Sequence, residues 1–236
     1  MSYLDINSGQ VVANASEEAR AAFIRRTYLH LGGAIVAFVG LEYLMIQSGI
    51  AQQFAAVLGA SKWMWLLVMA GYMGISYLAD NWARSAISRE KQYMGLGLYA
   101  VAFAFIISPM IYRAATTAPD VLMNAVIVTG ALVAGLTFTA FTSKVNFSFL
   151  GRSLMIGGFV AMGIIVAAII FDFSLGVWFS GAMILFAAAS VLYSTSNIIH
   201  EYHTDQHVAA SLSLFSSIGL LFWYVLQFMM SLGGGD

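Results

Sequence analysis

Long apolar runs separated by short polar breaks make up almost the whole chain. Each run is close to the ~20 residues that an α-helix needs to cross the hydrocarbon core of a bilayer. The pattern therefore predicts an all-α integral membrane protein, with seven transmembrane helices in a single membrane domain over residues 28–236. The runs lie near residues 28–48, 63–83, 93–113, 121–142, 148–171, 175–198 and 207–231.

The segment before the first run has a different character. A cap at Asn14 or Ser16, followed by acidic residues, is typical of a helix start and predicts a short interfacial helix over Ala15 to Thr27. Residues 1–27 are thus predicted to be a tail and an interfacial helix. Acidic residues at this position do not fit a signal peptide, so we expect no cleavage.

Lysine and arginine are divided unevenly between the two sets of connections. Eight of the ten fall in one set, which includes the N-terminus. Because short cytoplasmic segments are enriched in basic residues, the N-terminus is predicted to be cytoplasmic and the C-terminus to lie outside. The eight are Arg20, Arg25, Arg26, Arg84, Arg89, Lys91, Lys144 and Arg152, and the other two are Lys62 and Arg113.

The composition and net charge mainly exclude certain classes of protein, partner and site. Apolar residues make up 61% of the chain and charged residues 9%, whereas about a quarter of a soluble domain is charged. The net charge of −1 gives no reason to expect a nucleic-acid partner. With no cysteine, disulfides, thiolate metal sites and a cysteine nucleophile are all excluded.

Polar residues gather around the sixth connection, which also separates the last two runs. Folding the chain back near residue 205 places Ser194 and Ser217 each about 17 Å from the tip, at equal depth on antiparallel helices. Their neighbours at helical spacing extend this pair into a predicted polar seam, which is either a functional site or serines filling a tight interface. The candidates are Ser190, Ser194, Asn197, Ser213 and Ser217.

Four titratable residues are candidates for proton sensing. His200, His203 and His207 change charge between pH 5 and 8 when they are exposed. The spacing H-E-Y-H is one residue short of the zinc motif H-E-x-x-H, so we expect no metal site. Glu42 lies within the first run, where a carboxylate is either functional or extends to the membrane interface.

Other polar or helix-breaking residues have simpler readings. Pro109, in "FIISPMI", frees a backbone carbonyl and is a candidate hinge or an ordinary kink. Asp80 and Arg84 are predicted to form an ion pair on one helix. Ser194 and His200 are six residues apart, a poor spacing for a nucleophile and its base. We therefore expect no catalytic activity and no cofactor.

Four short stretches are similar to one known family. They are "RRTYLHLGG" at 25–33, "IISPMI" at 106–111, "NFSFLGRSLMIG" at 146–157 and "TSNIIH" at 195–200. Together they resemble the Bax inhibitor (TMBIM) family, especially its bacterial YccA-like branch. The resemblance implies a seven-helix fold with the last helix packed centrally, and location in a bacterial inner membrane.

The resemblance also implies two competing activities. Members of the YccA-like branch modulate an FtsH-type membrane-anchored AAA protease, and other members are pH-sensitive leaks for Ca²⁺ or H⁺ gated by two acids. The motifs align those acids with Ser194 and Ser217. Two hydroxyls do not titrate in the same range, so any pH response would depend on Glu42, His200, His203 or His207.

Overall fold

The computed structural model describes residues 10–85, 88–143 and 145–233. This part of the chain forms eight α-helices joined by short connections, and two single-turn 3-10 helices at Val12–Asn14 and Phe147–Phe149. The α-helices are α1 (Glu17–Gln47), α2 (Ile50–Ala60), α3 (Lys62–Ala83), α4 (Arg89–Thr117), α5 (Pro119–Thr142), α6 (Leu150–Phe171), α7 (Gly176–His200) and α8 (His207–Gly233).

Six of these helices, α1 and α4 to α8, are each long and apolar enough to cross a membrane. The helices α2 and α3 reach that criterion only together, and they meet at a bend of 120°. By length and composition, the described residues therefore contain six candidate spans, or seven if the bent pair counts as one. The bend occurs at Ser61, whose extended backbone ends α2 and whose side chain caps the first turn of α3.

The interfacial helix predicted over Ala15 to Thr27 is not a separate element. Helix α1 runs without interruption from Glu17 to Gln47, so the predicted boundary after residue 27 falls inside it. Ser16 is the cap, and its Oγ accepts a hydrogen bond from the Ala19 N–H at 3.3 Å. No proline or glycine lies near residue 27 to end the helix, and α1 therefore continues into the apolar run.

Helix α4 continues through Pro109. A proline has no N–H, so the carbonyl four residues earlier, that of Phe105, loses its usual partner. The Ser108 hydroxyl donates to this carbonyl at 3.1 Å. A side chain thus satisfies a backbone group that would otherwise be left unpaired in an apolar environment. The role of Pro109 as a hinge stays a prediction.

Helix α8 lies at the centre of the bundle, as the resemblance implied. It contacts α1, α3, α4, α5 and α7, and its contact with α7 is the most extensive. An aromatic cluster joins it to two neighbours: the Phe215 ring lies 6.0 Å from Phe38 and 5.8 Å from Phe103. By contrast, only 11% of the residues in the most apolar stretch of α6 are buried within the protein, so α6 lies at the periphery of the bundle.

The connections meet at two ends of the bundle. At one end the Val12 N–H donates to the Tyr202 carbonyl at 2.9 Å, and Ser148 Oγ lies 3.3 Å from Glu201 Oε1. At the other end Lys62 Nζ donates to the Ile170 carbonyl at 3.0 Å. We call the first the basic end, since the N-terminal segment and the connections after α3, α5 and α7 lie there. Lys144, counted above, is outside the described residues.

Candidate functional site

The hydroxyls of Ser194 on α7 and Ser217 on α8 lie 2.7 Å apart, which confirms their predicted pairing. Ser213 Oγ donates to Ser194 Oγ at 3.2 Å, and Ser217 Oγ donates to the Ser213 carbonyl at 3.0 Å. With Ser194 as the donor to Ser217, each hydroxyl proton is used once. The three serines therefore form a closed and fully satisfied cluster across the α7–α8 interface.

Two members of the predicted seam do not hydrogen-bond to this cluster. Ser190 bonds back to its own helix, donating to the Phe186 carbonyl at 3.0 Å. Asn197 faces the connection before α6, where its Oδ1 accepts from Ser148 Oγ at 2.8 Å. A role for Asn197 in the seam stays a prediction.

A cavity of about 810 Å³ runs beside the serine cluster, between α3, α4, α6, α7 and α8. Ser190, Ser194, Ser213 and Ser217 line it. On α3 the lining extends from Trp65 to Arg84, about 28 Å at roughly 1.5 Å per residue. This length is close to the ~30 Å thickness of the hydrocarbon core. The cavity therefore extends over most of the depth that a bilayer would occupy.

A second row of hydroxyls lines the cavity, which the sequence analysis did not find. Tyr72 Oη lies 2.9 Å from Tyr99 Oη, and Tyr99 in turn donates to Ser216 Oγ at 2.9 Å. This chain crosses from α3 through α4 to α8. A signal was present in the sequence, since four of the polar residues that line the cavity from α3 recur at every fourth position. They are Tyr72, Ser76, Asp80 and Arg84.

The cavity has a charged pair at the basic end. Arg84 Nε lies 2.8 Å from an Asp80 carboxylate oxygen, which confirms the predicted ion pair. The guanidinium also approaches Tyr202, in the α7–α8 connection, with Nη2 3.5 Å from its hydroxyl. Burial acts to lower the pKa of Arg84, but Asp80 and the Tyr202 hydroxyl outweigh this effect and hold the pKa above its ordinary value. Arg84 therefore stays charged.

The three histidines of the sixth connection do not converge. His200 Nδ1 contacts the carbonyl of Ser196 on its own helix at 2.9 Å. His203 pairs with Val11 in an isolated antiparallel bridge. His207 is 5% exposed, and its ring lies 4.9 Å from that of His30 on α1. Across the ranges that the structure describes, no three His, Asp or Glu side chains are grouped as metal ligands.

Glu42 is buried inside the bundle. Its side chain is 5% exposed and belongs to the inward face of α1 that also carries Phe38 and Met45. Among the residues that the structure describes, neither carboxylate oxygen has a hydrogen-bond partner. Glu42 is not among the residues that line the 810 Å³ cavity. It thus stays a candidate for proton sensing, at a site separate from the serine cluster.

The comparison with known families agrees with this fold and with the quoted motifs. Residues 20–234 match the sequence model of the family described as "Inhibitor of apoptosis-promoting Bax1". The chain belongs to this family. The match covers every span, and it confirms the Bax inhibitor family that the four motifs indicated.

Relatives of the chain occur in bacteria, animals and plants. An uncharacterized protein of Pseudomonas aeruginosa is 28% identical, over 72% of this chain and 76% of its own length. Protein lifeguard 4 of Mus musculus is 25% identical over 95% and 91%. Protein LIFEGUARD 3 of Arabidopsis thaliana is 25% identical over 91% and 86%. The chain is therefore a multi-span membrane protein of a widely distributed family.

Proposed function

We propose that the protein is a cation leak, and that its path is the 810 Å³ cavity beside α8. The observation that carries the proposal is the length of this cavity together with its polar wall. An ion entering an apolar bilayer needs groups that replace its hydration shell. The hydroxyl oxygens of the serine cluster and of the row formed by Tyr72, Tyr99 and Ser216 supply such groups along the cavity.

The hydroxyl oxygens of the lining, rather than its charges, suit a cation, because the two charged lining residues, Asp80 and Arg84, neutralise each other. Hydroxyl oxygens are ligands for hard cations such as Ca²⁺. Asp80 provides the carboxylate of the lining, and Arg84, which neutralises it, is located at the basic end. In this proposal the ion pair with Arg84 controls entry, and the cluster of Ser194, Ser213 and Ser217 provides oxygen ligands on the wall formed by α7 and α8. Ca²⁺ and H⁺ are the ions to test.

Cysteine modification tests this path, because the natural chain contains no cysteine. We expect Ser190→Cys and Ser216→Cys to support cation flux in proteoliposomes. A positively charged methanethiosulfonate reagent should then lower that flux by about tenfold, equivalent to a barrier about 1.4 kcal/mol higher. The reason is that the attached group would occupy the cavity and repel the permeant ion.

The matched control is Ser48→Cys, at an exposed position away from the cavity. Its thiol should react with the same reagent while the flux stays unchanged. Flux that is absent from the unmodified protein, or equal inhibition at Ser48 and Ser216, would contradict the proposal.

A second candidate function is modulation of an FtsH-type AAA protease in a bacterial inner membrane, as in the YccA-like branch. The observation that favours it is an ordered N-terminal segment at the basic end. The Thr204 N–H donates to the Gln10 carbonyl at 3.1 Å, and Val12 is fully buried. Arg20 holds this segment through the Val12 and Ala13 carbonyls, at 3.2 and 2.8 Å. A formed surface of this kind is suited to contact a partner protein.

Releasing this segment is expected to weaken capture of the protease. We expect Arg20→Ala to reduce the amount of protease recovered by crosslinked pull-down from native membranes. The loss should approach that caused by deletion of residues 1–16, because both changes remove the docked surface. Arg25→Ala, which alters an exposed basic residue in the same helix, is the control. Equal recovery from all four proteins would rule out this mechanism.

A further inference from the structure

A second groove lies outside the cavity just described, between the parallel helices α1 and α4. It has a volume of about 490 Å³. The residues that line it recur at helical spacing on both sides, from His30 to Ala37 on α1 and from Tyr93 to Ala100 on α4. The middle of the groove is made by Gly33 and Gly97, which are exposed, and a Cβ added to either would meet no atom within 4 Å. The groove is therefore empty space that opens outward from the bundle.

One end of the groove is polar. His30 Nε2 lies 3.1 Å from the Tyr93 hydroxyl, and the two rings stack at 5.4 Å. Arg26 precedes His30 by one turn, and Arg89 precedes Tyr93 by one turn. Both arginines are near enough to the adjoining His207 ring to act on it electrostatically. Two fixed positive charges therefore flank the same end of an apolar groove.

The wider surroundings keep this end positive. Within two positions of Arg26 and Arg89 the sequence adds the cations Arg25 and Lys91 and the anion Glu90. With Asp205, which acts on the same His207 ring, these residues leave an excess of two positive charges. An excess of basic residues beside an interhelical pocket at one membrane face is typical of sites that bind anionic lipid headgroups.

We propose that this groove binds one anionic phospholipid of the surrounding bilayer. Its headgroup lies against Arg26 and Arg89, and the upper part of one acyl chain fills the space over Gly33 and Gly97. From His30 to Ala37 the groove is about 10 Å long at roughly 1.5 Å per residue. It is thus contained within one leaflet, whose hydrocarbon is about 15 Å deep.

The charge beside the site favours a lipid over a helix from another protein. The lining includes Gly33, Ala37 and Gly97, small residues that would also allow a helix to approach closely. A neutral apolar helix would leave the positive charge of Arg26 and Arg89 unmatched, whereas the headgroup of an anionic phospholipid neutralises it. A flexible acyl chain fits the space over the two glycines.

Lipid retention by the full-length protein tests the proposal. Purified protein is delipidated in detergent, titrated with phosphatidylglycerol or phosphatidylcholine, and examined by native mass spectrometry. We expect one phosphatidylglycerol to bind about tenfold more tightly than phosphatidylcholine, a difference of about 1.4 kcal/mol. Gly97→Leu should abolish this binding because the leucine side chain occupies the groove. Gly32→Leu, which also adds a leucine in open space but does not line the groove, should leave it unchanged.

A second variant removes positive charge without filling the groove, and it therefore tests the role of charge separately from that of shape. Arg26→Gln with Arg89→Gln should make the two lipids bind equally, while Arg113→Gln at the other end should preserve the preference. Equal binding of both lipids to the unchanged protein, or equal retention by Gly97→Leu and Gly32→Leu, would overturn the proposal. No ion flux is measured, so this result is independent of whether the protein is a cation leak.

Discussion

Replacing Ser194 and Ser217 together with aspartate is expected to make cation flux through the protein strongly pH-dependent. The two hydroxyl oxygens are 2.7 Å apart, so the carboxylates that replace them would be forced close together. Two unit charges about 4 Å apart repel by roughly 4 kcal/mol at an effective dielectric constant of 20. Such a pair holds one proton between its members until the pH is high enough to remove it.

The expected direction follows from this repulsion. At pH 6 the shared proton should hold α7 and α8 together, and at pH 8 two negative charges should separate them. Flux in proteoliposomes is therefore expected to be about tenfold higher at pH 8 than at pH 6, because the shared proton of the aspartate pair is lost between these two pH values.

The isosteric control is Ser194→Asn with Ser217→Asn, which adds similar volume without a titrating group. It should show only the pH response of the unchanged protein. If the double aspartate variant conducts equally at pH 6 and pH 8, then the pairing of these positions does not control the path.

Gly95→Ala is expected to cause the largest loss of stability of any single methyl addition in the described residues. A Cβ at Gly95 would lie 2.5 Å from both the Ala79 carbonyl oxygen and the Ala83 nitrogen. Both contacts are with the backbone of α3, which cannot rotate away as a side chain could. Overpacking a core costs about 1–3 kcal/mol, and we expect a value near the upper end.

The same substitution at Gly97 provides the control. No atom lies within 4 Å of a Cβ at that position, and alanine in a helix is favoured over glycine by up to about 1 kcal/mol. Thermal unfolding in detergent, followed by tryptophan fluorescence, should thus show a lower Tm for Gly95→Ala and a higher Tm for Gly97→Ala, although both positions lie on α4. An equal Tm for the two variants would show that α3 and α4 do not cross as closely as described.

Much of this fold could be predicted from apolar periodicity, since the lengths of the runs closely match those of α5 to α8. The separate helix α2 was missed because residues 50–60 are apolar but end at a break of one residue, Ser61. The continuity of α1 was missed because cap signals at Ser16 say where a helix begins and nothing about where it ends.

Only those contacts of the candidate site that follow from the distance of each residue to a tight connection could be predicted from the sequence. Ser194 and Ser217 are equally distant from one tight connection, so their meeting follows from the rise of a helix. The contact of Tyr72 with Tyr99 depends on how α3 and α4 are rotated about their own axes. That rotation is set by how the two helices pack, including the close approach of α3 at Gly95. The apolar pattern of one helix alone does not determine it.

The peripheral position of α6 has a mechanical consequence for the cavity that it borders. Its contribution to the lining is entirely apolar, from Leu154, Met162, Ile165 and Ile169, so outward displacement of its middle would break no hydrogen bond of the cavity. Its ends are anchored more firmly, by Lys62 at Ile170 and by Asn146 and Ser148 next to α7. A helix fixed at both ends and loose between them can bow, so lateral pressure in the bilayer should alter the width of the cavity at little energetic cost.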